Sequence, residues 1–245
     1  MRLFGLIGYP LSHSFSKNYF TRKFEIERRT DCRYELFPIA SIGKLPELLQ
    51  NHPELVGLNV TIPYKQEVLQ YLQDTSGLPA ALQACNCIRI RQGRLEGFNT
   101  DYIGFENSLQ PMLQQQHTKA LVLGNGGASK AVMYVLSKMG IAYEVVSRKL
   151  HDGSTLTYES LTPEIVHTHP LIINTTPLGT FPNVLERPQI PYDAVGKSHL
   201  LYDLVYNPGQ TQFMKEGELR GAATKNGYDM LVGQADAAWR IWNEL

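Results

Sequence analysis

A short apolar strand running straight into a glycine turn and then a helix constrains this chain more than any other feature. The stretch is KALVLGNGGASKAVMYVLSKMGIAYEVVSRK, residues 119–149. Residues 119–123 read as a strand and lead into Gly124, Asn125, Gly126, Gly127 and Ala128. Ala131, Val132, Val135 and Leu136 then follow at helical spacing, and a second strand is expected over 142–147. Strand, glycine-rich turn, helix and strand within about thirty residues is the setting in which such glycines bind a dinucleotide. Glycine at 124 permits a tight turn, and at 126 and 127 no side chain blocks a pyrophosphate. The helix N-terminus offers its N–H groups to the anion. Ser129 takes the third slot of the G-x-G-x-x-G pattern. The plainer alternative is a strand-to-helix turn that happens to be glycine-rich, but the correct flanking pattern on both sides favours a dinucleotide.

The end of the second strand distinguishes cofactors. A carboxylate there bonds the ribose 2′-hydroxyl of NAD. This strand ends in Ser147, Arg148 and Lys149, with no acid and two cations. A pocket for a 2′-phosphate is the reading, and NADP the expected cofactor. The alternative is a solvated turn.

The rest of the chain alternates strands and helices, with helices expected at 14–24, 41–51, 64–72, 102–113, 128–139, 210–217 and 228–242. Alternation of this kind implies an α/β architecture with mostly parallel sheets. The polar, glutamine-rich 109–119 marks a crossing between two domains, and the final helix is left able to pack on either. Across 245 residues, 23 Lys and Arg balance 23 Asp and Glu. That balance argues against nucleic acid or a membrane surface as partner. Cys32, Cys85 and Cys87 form no disulfide framework, and Cys85-x-Cys87 lacks a second pair for a metal. No metal is expected. MRLFGLIGYP is too short and broken for a leader or a span, so a soluble, cytoplasmic protein is expected.

A nicotinamide cofactor implies hydride transfer, and reducing a ketone requires a proton donor beside it. NVTIPYKQ, residues 59–66, places Lys65 at an expected helix start, where cations are disfavoured. GFNTDYIGF, 97–105, places Asp101 after a strand and at the head of a helix. Both sit beyond the carboxyl ends of strands, where α/β sheets bind ligands. A carboxylate partner would hold the lysine in its ammonium form in a dry site. Taken singly, Lys65 is a surface lysine and Asp101 a helix cap; as a pair beside a nucleotide they read as catalytic. Ser12, His13, Ser14 and Ser16 precede the first helix and suit a carboxylate, or else form a cap cluster. Asn59 and Thr61 flank one strand end, and Asn86 precedes another strand.

These segments, in this order, resemble the shikimate dehydrogenase family along nearly the whole chain. Gly8 through Ser16 matches the family's Gly-x-Pro-x-x-His-Ser-x-Ser. Asn59 through Lys65 matches Asn-Val-Thr-x-Pro-x-Lys, and Asn99 through Phe105 matches Asn-Thr-Asp-x-x-Gly-Phe. The glycine loop, NTTPLGT (174–180), DLVYNPGQT (203–211) and NGYDMLVGQA (226–235) fit the remaining signatures.

The resemblance implies NADPH-dependent reduction of 3-dehydroshikimate to shikimate, in aromatic amino-acid biosynthesis. It implies Lys65 and Asp101 as the catalytic pair, with Ser12 and Ser14 on the substrate carboxylate. Asn59, Thr61, Asn86, Asp101 and Gln234 would hold the ring hydroxyls, with Tyr206 near the substrate. Thr175 and Gly227 would line the nicotinamide end. The implied architecture is a substrate domain of 1–105 plus 228–245 and a Rossmann-like NADP domain of 106–227, with a cleft between them. A monomer or homodimer is expected.

Three departures stand out: Cys87 follows Asn86 where the family has threonine, Asn125 replaces an alanine, and Ser147-Arg148-Lys149 replaces Asn-Arg-Thr. The last weakens the carry-over of cofactor preference more than that of catalysis. Rival readings are a quinate/shikimate dehydrogenase using NAD, a non-catalytic NADP-binding regulator on the same scaffold, and a folate-linked dehydrogenase of similar build.

Overall fold

The computed structural model describes residues 1–11, 14–150 and 154–244. The chain divides into two compact units, Met1–Thr100 with Gln234–Leu245, and Asp101–Gly233.

The first unit is built on a six-stranded sheet. Its strands are β1 (Arg2–Gly8), β2 (Cys32–Pro38), β3 (Leu55–Val60), β4 (Asp74–Gly77), β5 (Cys87–Arg91) and β6 (Arg94–Phe98), in the order β2-β1-β3-β5-β6-β4. β1 lies parallel to β2 and β3, and β4 parallel to β6. β5 runs antiparallel to both neighbours. Only a two-residue turn joins it to β6, and a turn that short forces an antiparallel hairpin.

β1 is buried on both faces, as its continuous apolar run requires. Phe4 faces a cluster with Phe20 and Phe24 of α1 (Phe15–Ile26) and Trp239 and Trp242 of α7 (Tyr228–Asn243). Leu3 and Ile7 face the other way, onto Leu58, Val60, Val68 and Leu45 of α2 (Leu45–Asn51). Trp242 Nε1 donates to the Ile88 carbonyl at 2.9 Å, so the indole keeps its hydrogen bond while buried.

The second unit has an all-parallel sheet of β7 (Lys119–Leu123), β8 (Ala142–Ser147), β9 (Leu156–Thr157), β10 (Leu171–Asn174), β11 (Leu200–Asp203) and β12 (Ala223–Lys225). The order β12-β11-β10-β7-β8-β9 reverses direction between β7 and β10. That reversal is the switch point at which doubly wound sheets bind ligands. Leu121, Leu123, Ile172 and Leu201 pack on one face, and Ala120, Val122, Ile173 and Tyr202 on the other. The remaining helices are α3 (Asp101–Leu109), α4 (Gly127–Lys138), α5 (Pro163–Thr168) and α6 (Gln212–Leu219). Among the described residues no helix is long and apolar enough to cross a membrane.

The expected helix over 64–72 is replaced by turns and a 3-10 segment, Glu67–Tyr71. Asp74 already begins β4, so the segment has room for little more than a turn. Lys65 therefore lies in a turn, not at a helix start. The expected helices at 41–51 and 102–113 are each partly 3-10, over Ile42–Lys44 and Gln110–Met112.

Candidate active site

The glycine turn connects β7 to α4. Gly124 has φ +103°, and its N–H donates to the Val146 carbonyl at 2.8 Å. A Cβ there would stand 2.9 Å from both Thr175 Oγ1 and Thr176 Cγ2. Thr175 Oγ1 in turn donates to the Leu123 carbonyl at 2.8 Å, tying the loop after β10 to the end of β7. Beyond Gly126 and Gly127 the space is open, since a Cβ at either would meet nothing within 4 Å. Gly126 caps α4 with no side-chain bond, and the Gly127 and Ala128 amides at the helix start suit an anion. Ser129 is fully buried and donates to the Gly126 carbonyl at 2.6 Å.

A cavity of about 830 Å³ lies against this turn, lined by Gly124, Asn125, Gly126, Ser147, Arg148, Lys149, Tyr158, Thr175, Thr176, Pro177 and Leu178. That volume is within the range of cofactor sites. Ser147 Oγ donates to the Lys149 carbonyl at 2.5 Å and so shapes the turn carrying the exposed Arg148 and Lys149. The Tyr158 hydroxyl is buried with no hydrogen-bond partner among the described residues. Burial pushes it up to about 12, with the Arg148 charge acting the other way.

The first unit gathers a polar cluster at one end of its sheet. β3 and β6 end there and β5 begins there, with Asn59 opposite Cys87 and Cys87 opposite Phe98. Asn86 is the hub. Its Oδ1 accepts from the Thr100 N–H at 2.6 Å, and its Nδ2 donates to Thr100 Oγ1 at 3.0 Å. Its carbonyl accepts from Asn59 Nδ2 at 3.4 Å. Thr100 Oγ1 reaches Gln234 Oε1 at 3.4 Å, and the Tyr34 hydroxyl donates to Asn59 Oδ1 at 2.8 Å. Asn59, Asn86, Thr100 and Gln234 are all buried. Polar groups buried together in this way are tolerated because they bond one another.

Lys65 is half-buried, and its carbonyl accepts from the Cys85 N–H at 2.7 Å, next to the hub. Asp101 opens α3 as the first residue of the second unit, directly after Thr100. Ser14 caps α1, accepting from the Lys17 N–H at 3.3 Å, which leaves its own O–H to donate. Ser12 lies outside the described residues. Thr61 is half-buried, its N–H bonded to the Ile7 carbonyl.

Gly127 and Ala128 begin the first turn of α4, are exposed, and do not line the cavity. Tyr206 is exposed in the second unit and lies off that wall. Gly227 is buried and also off the wall; a Cβ there would run into the Leu204 carbonyl, so packing alone demands glycine.

Tyr34, Thr100, Tyr158, Thr176, Pro177 and Leu178 belong to these two sites and were not singled out from the sequence. Thr100 and 176–178 lie inside quoted motifs, where a signal was present. Tyr34 and Tyr158 carried none, because an aromatic residue in a strand or loop reads as core.

The substrate-binding-domain model of shikimate dehydrogenases matches residues 6–88, which hold most of the polar cluster. The shikimate dehydrogenase (NADP(+)) of Clostridium beijerinckii is 38% identical, over 100% of this chain and 93% of the relative. The chain belongs to the shikimate dehydrogenase family. Shikimate dehydrogenase 1 of Peptoclostridium difficile has a similar structure, with TM-score 0.83, 37% identity and coverage of 99% of this chain and 91% of that one. The shikimate 5-dehydrogenase of Thermus thermophilus, in complex with NADP(H) and shikimate, has TM-score 0.86 at 29% identity, covering 100% and 94%. In this shikimate dehydrogenase family member the cavity fits such a dinucleotide. The glycines leave room for phosphates, the rim is cationic, and Tyr158 has a buried hydroxyl unsatisfied within the described protein.

Proposed function

We propose that this chain is an NADP-dependent shikimate dehydrogenase, reversibly reducing 3-dehydroshikimate to shikimate in the cytoplasm. The observation that carries this reading is the composition of the cavity: a glycine turn on one side and Ser147, Arg148 and Lys149 on the other, with no carboxylate at the end of β8. An adenosine bearing an extra phosphate suits that rim, since guanidinium and ammonium groups make strong charge-assisted bonds to phosphate. Asn125, Gly127, Ala128, Thr175 and Gly227 complete the proposed cofactor set.

When bound, the nicotinamide supplies a hydride to the ketone carbon. The protein's own residues do the rest. Ser12 and Ser14 hold the substrate carboxylate through hydroxyl donors. Asn59, Thr61, Asn86, Asp101 and Gln234 hold the ring hydroxyls, and Tyr206 is assigned to the substrate's surroundings. Lys65 gives the developing alkoxide its proton, or stabilises that oxygen with its own positive charge, a contribution of roughly 10²–10⁴ in rate. Asp101 orients Lys65. The hub supports that pairing from both sides: Cys85 anchors the Lys65 backbone, and Asn86 anchors Thr100, which is joined directly to Asp101.

Initial rates of NADP reduction with shikimate, followed at the nicotinamide absorbance band, test the proposal. Rapid turnover with shikimate and NADP, and slower turnover with quinate or with NAD, is the expected result. Absence of turnover with shikimate sinks the enzymatic reading, and equal rates with NAD sink the cofactor assignment.

A further inference from the structure

The amide of Asn59 is held from behind by a residue that the proposed mechanism does not use. Tyr34 lies on β2 and Asn59 on β3, with β1 between them. Phe4 of β1 pairs with Tyr34, and Leu6 pairs with Asn59. The Tyr34 phenol therefore reaches across β1 on the face covered by α1 and α7. Only 3% of Tyr34 is exposed, and Phe20 stacks on its ring at 4.7 Å and 14°. The ring has no freedom to swing away.

Hydrogen-bond polarity then fixes the amide. The Asn86 carbonyl can only accept, so the Asn59 atom 3.4 Å from it is the nitrogen. Asn59 Oδ1 consequently faces Tyr34, and the phenol must donate to it, at 2.8 Å. Polarity runs one way along the row, from Tyr34 through Asn59 to Asn86. An amide nitrogen carries two protons. One goes to Asn86, and the other is offered to a ligand.

We propose that Tyr34 is a positioning residue that locks the Asn59 side chain with its N–H edge toward the substrate, so that Asn59 acts on substrate only as a donor. The proposal rests on Asn59 being a substrate-binding residue. The substrate atom at Asn59 is then an oxygen lone pair, and the hydroxyl that carries it keeps its own proton for another partner.

Tyr34→Phe removes one hydroxyl and keeps the ring stacked on Phe20. Its KM for shikimate is expected to rise about three- to tenfold, the worth of one ordinary hydrogen bond, while the KM for NADP is unchanged. Asn59→Ala raises the shikimate KM further, and adding Tyr34→Phe to it raises KM no more, because the two changes remove one interaction. A purely structural Tyr34 would lower the melting temperature, leave the shikimate KM unmoved and give no such coupling; that result overturns the inference. Should Asn59→Ala itself leave the KM unchanged, the assignment of Asn59 to the substrate fails instead. If Tyr34→Phe does not fold, Asn59→Asp carries the test. A carboxylate still accepts from Tyr34 but offers substrate no N–H, so its KM must rise as in Asn59→Ala; a KM equal to wild type overturns the proposal.

Discussion

Asn174 Nδ2 donates to Asp203 Oδ1 at 2.9 Å, between residues paired in register at the carboxyl ends of β10 and β11. Asp203 is fully buried and accepts two further bonds, from the Val205 N–H at 3.0 Å and Thr211 Oγ1 at 2.6 Å. The bond fixes the Asn174 amide, whose Oδ1 then accepts from Thr176 N at 3.0 Å and Thr176 Oγ1 at 2.6 Å. Thr176 is part of the cavity wall. One buried carboxylate thus shapes the loop against which the dinucleotide is proposed to lie.

Two consequences are measurable. Asp203→Ala leaves three donors without their acceptor and should cost roughly 3 kcal/mol of stability, with a raised KM for NADP and little change for shikimate. Burial pushes the Asp203 carboxyl up to about 6, against the pull of its three donors. Its folded value lies above the ordinary 3.8, so its contribution to stability is complete below that value and is lost as pH rises through about 6. Urea midpoints of wild type and Asp203→Asn should therefore differ in wild type's favour more at pH ~4.5 than at pH ~7. An unchanged difference would mean that Asp203 does not titrate in that window.

Arg148 is exposed on the cavity rim and carries the proposed 2′-phosphate contact. A charge-assisted bond to phosphate contributes about 1.5–3 kcal/mol, or roughly 10- to 150-fold in affinity. Arg148→Ala should raise the KM for NADP by about that factor and leave the KM for NAD within about twofold. Added salt should weaken NADP binding in wild type more than in the variant. Equal losses for both cofactors would place the 2′-phosphate elsewhere.

What the sequence made legible follows from how strong each local signal is. The β7–α4–β8 unit was readable because its apolar run, glycine turn and helical spacing agree with one another, and α4 begins within a residue of expectation. β9 and β12 are edge strands of two and three residues, too short to show any periodicity. The Lys65 segment has helix-forming residues, but its confinement before β4 overrides propensity. In the polar cluster Asn59 and Asn86 stood out as polar residues beside apolar strands. Tyr34 did not, since its ring satisfies the strand pattern and only the fold reveals where its hydroxyl goes. Asp203 lay inside a motif, yet its bond to Asn174 joins residues 29 apart in sequence, which no local reading supplies.

Trp242 anchors the end of α7 in the first unit. It is 4% exposed, its ring centroid lies 4.9 Å from that of Phe4 and 5.3 Å from that of Phe20, and its Nε1 donates to Ile88. Trp242→Ala opens a large cavity and removes the indole bond to the Ile88 carbonyl, which should cost about 3–5 kcal/mol. Denaturant midpoints measure that loss. Gln234 lies on the same helix and bonds Thr100, so the KM for shikimate should rise in whatever fraction remains folded. A loss below about 1 kcal/mol would show that the helix end is held by other contacts.

Lys65 tests the chemistry most directly. Its backbone bond to Cys85 does not depend on its side chain, so Lys65→Met keeps the turn and the length of the side chain while removing the ammonium. With its proton donor lost, turnover should drop by about 10²–10⁴. The KM for NADP should stay near wild type, because the cofactor cavity belongs to the second unit and Lys65 to the first. An equal drop in kcat and in kcat/KM for shikimate would mark an interaction made chiefly in the transition state. A rise in KM with kcat intact would instead assign Lys65 to binding, and near-normal turnover would remove it from the reaction altogether.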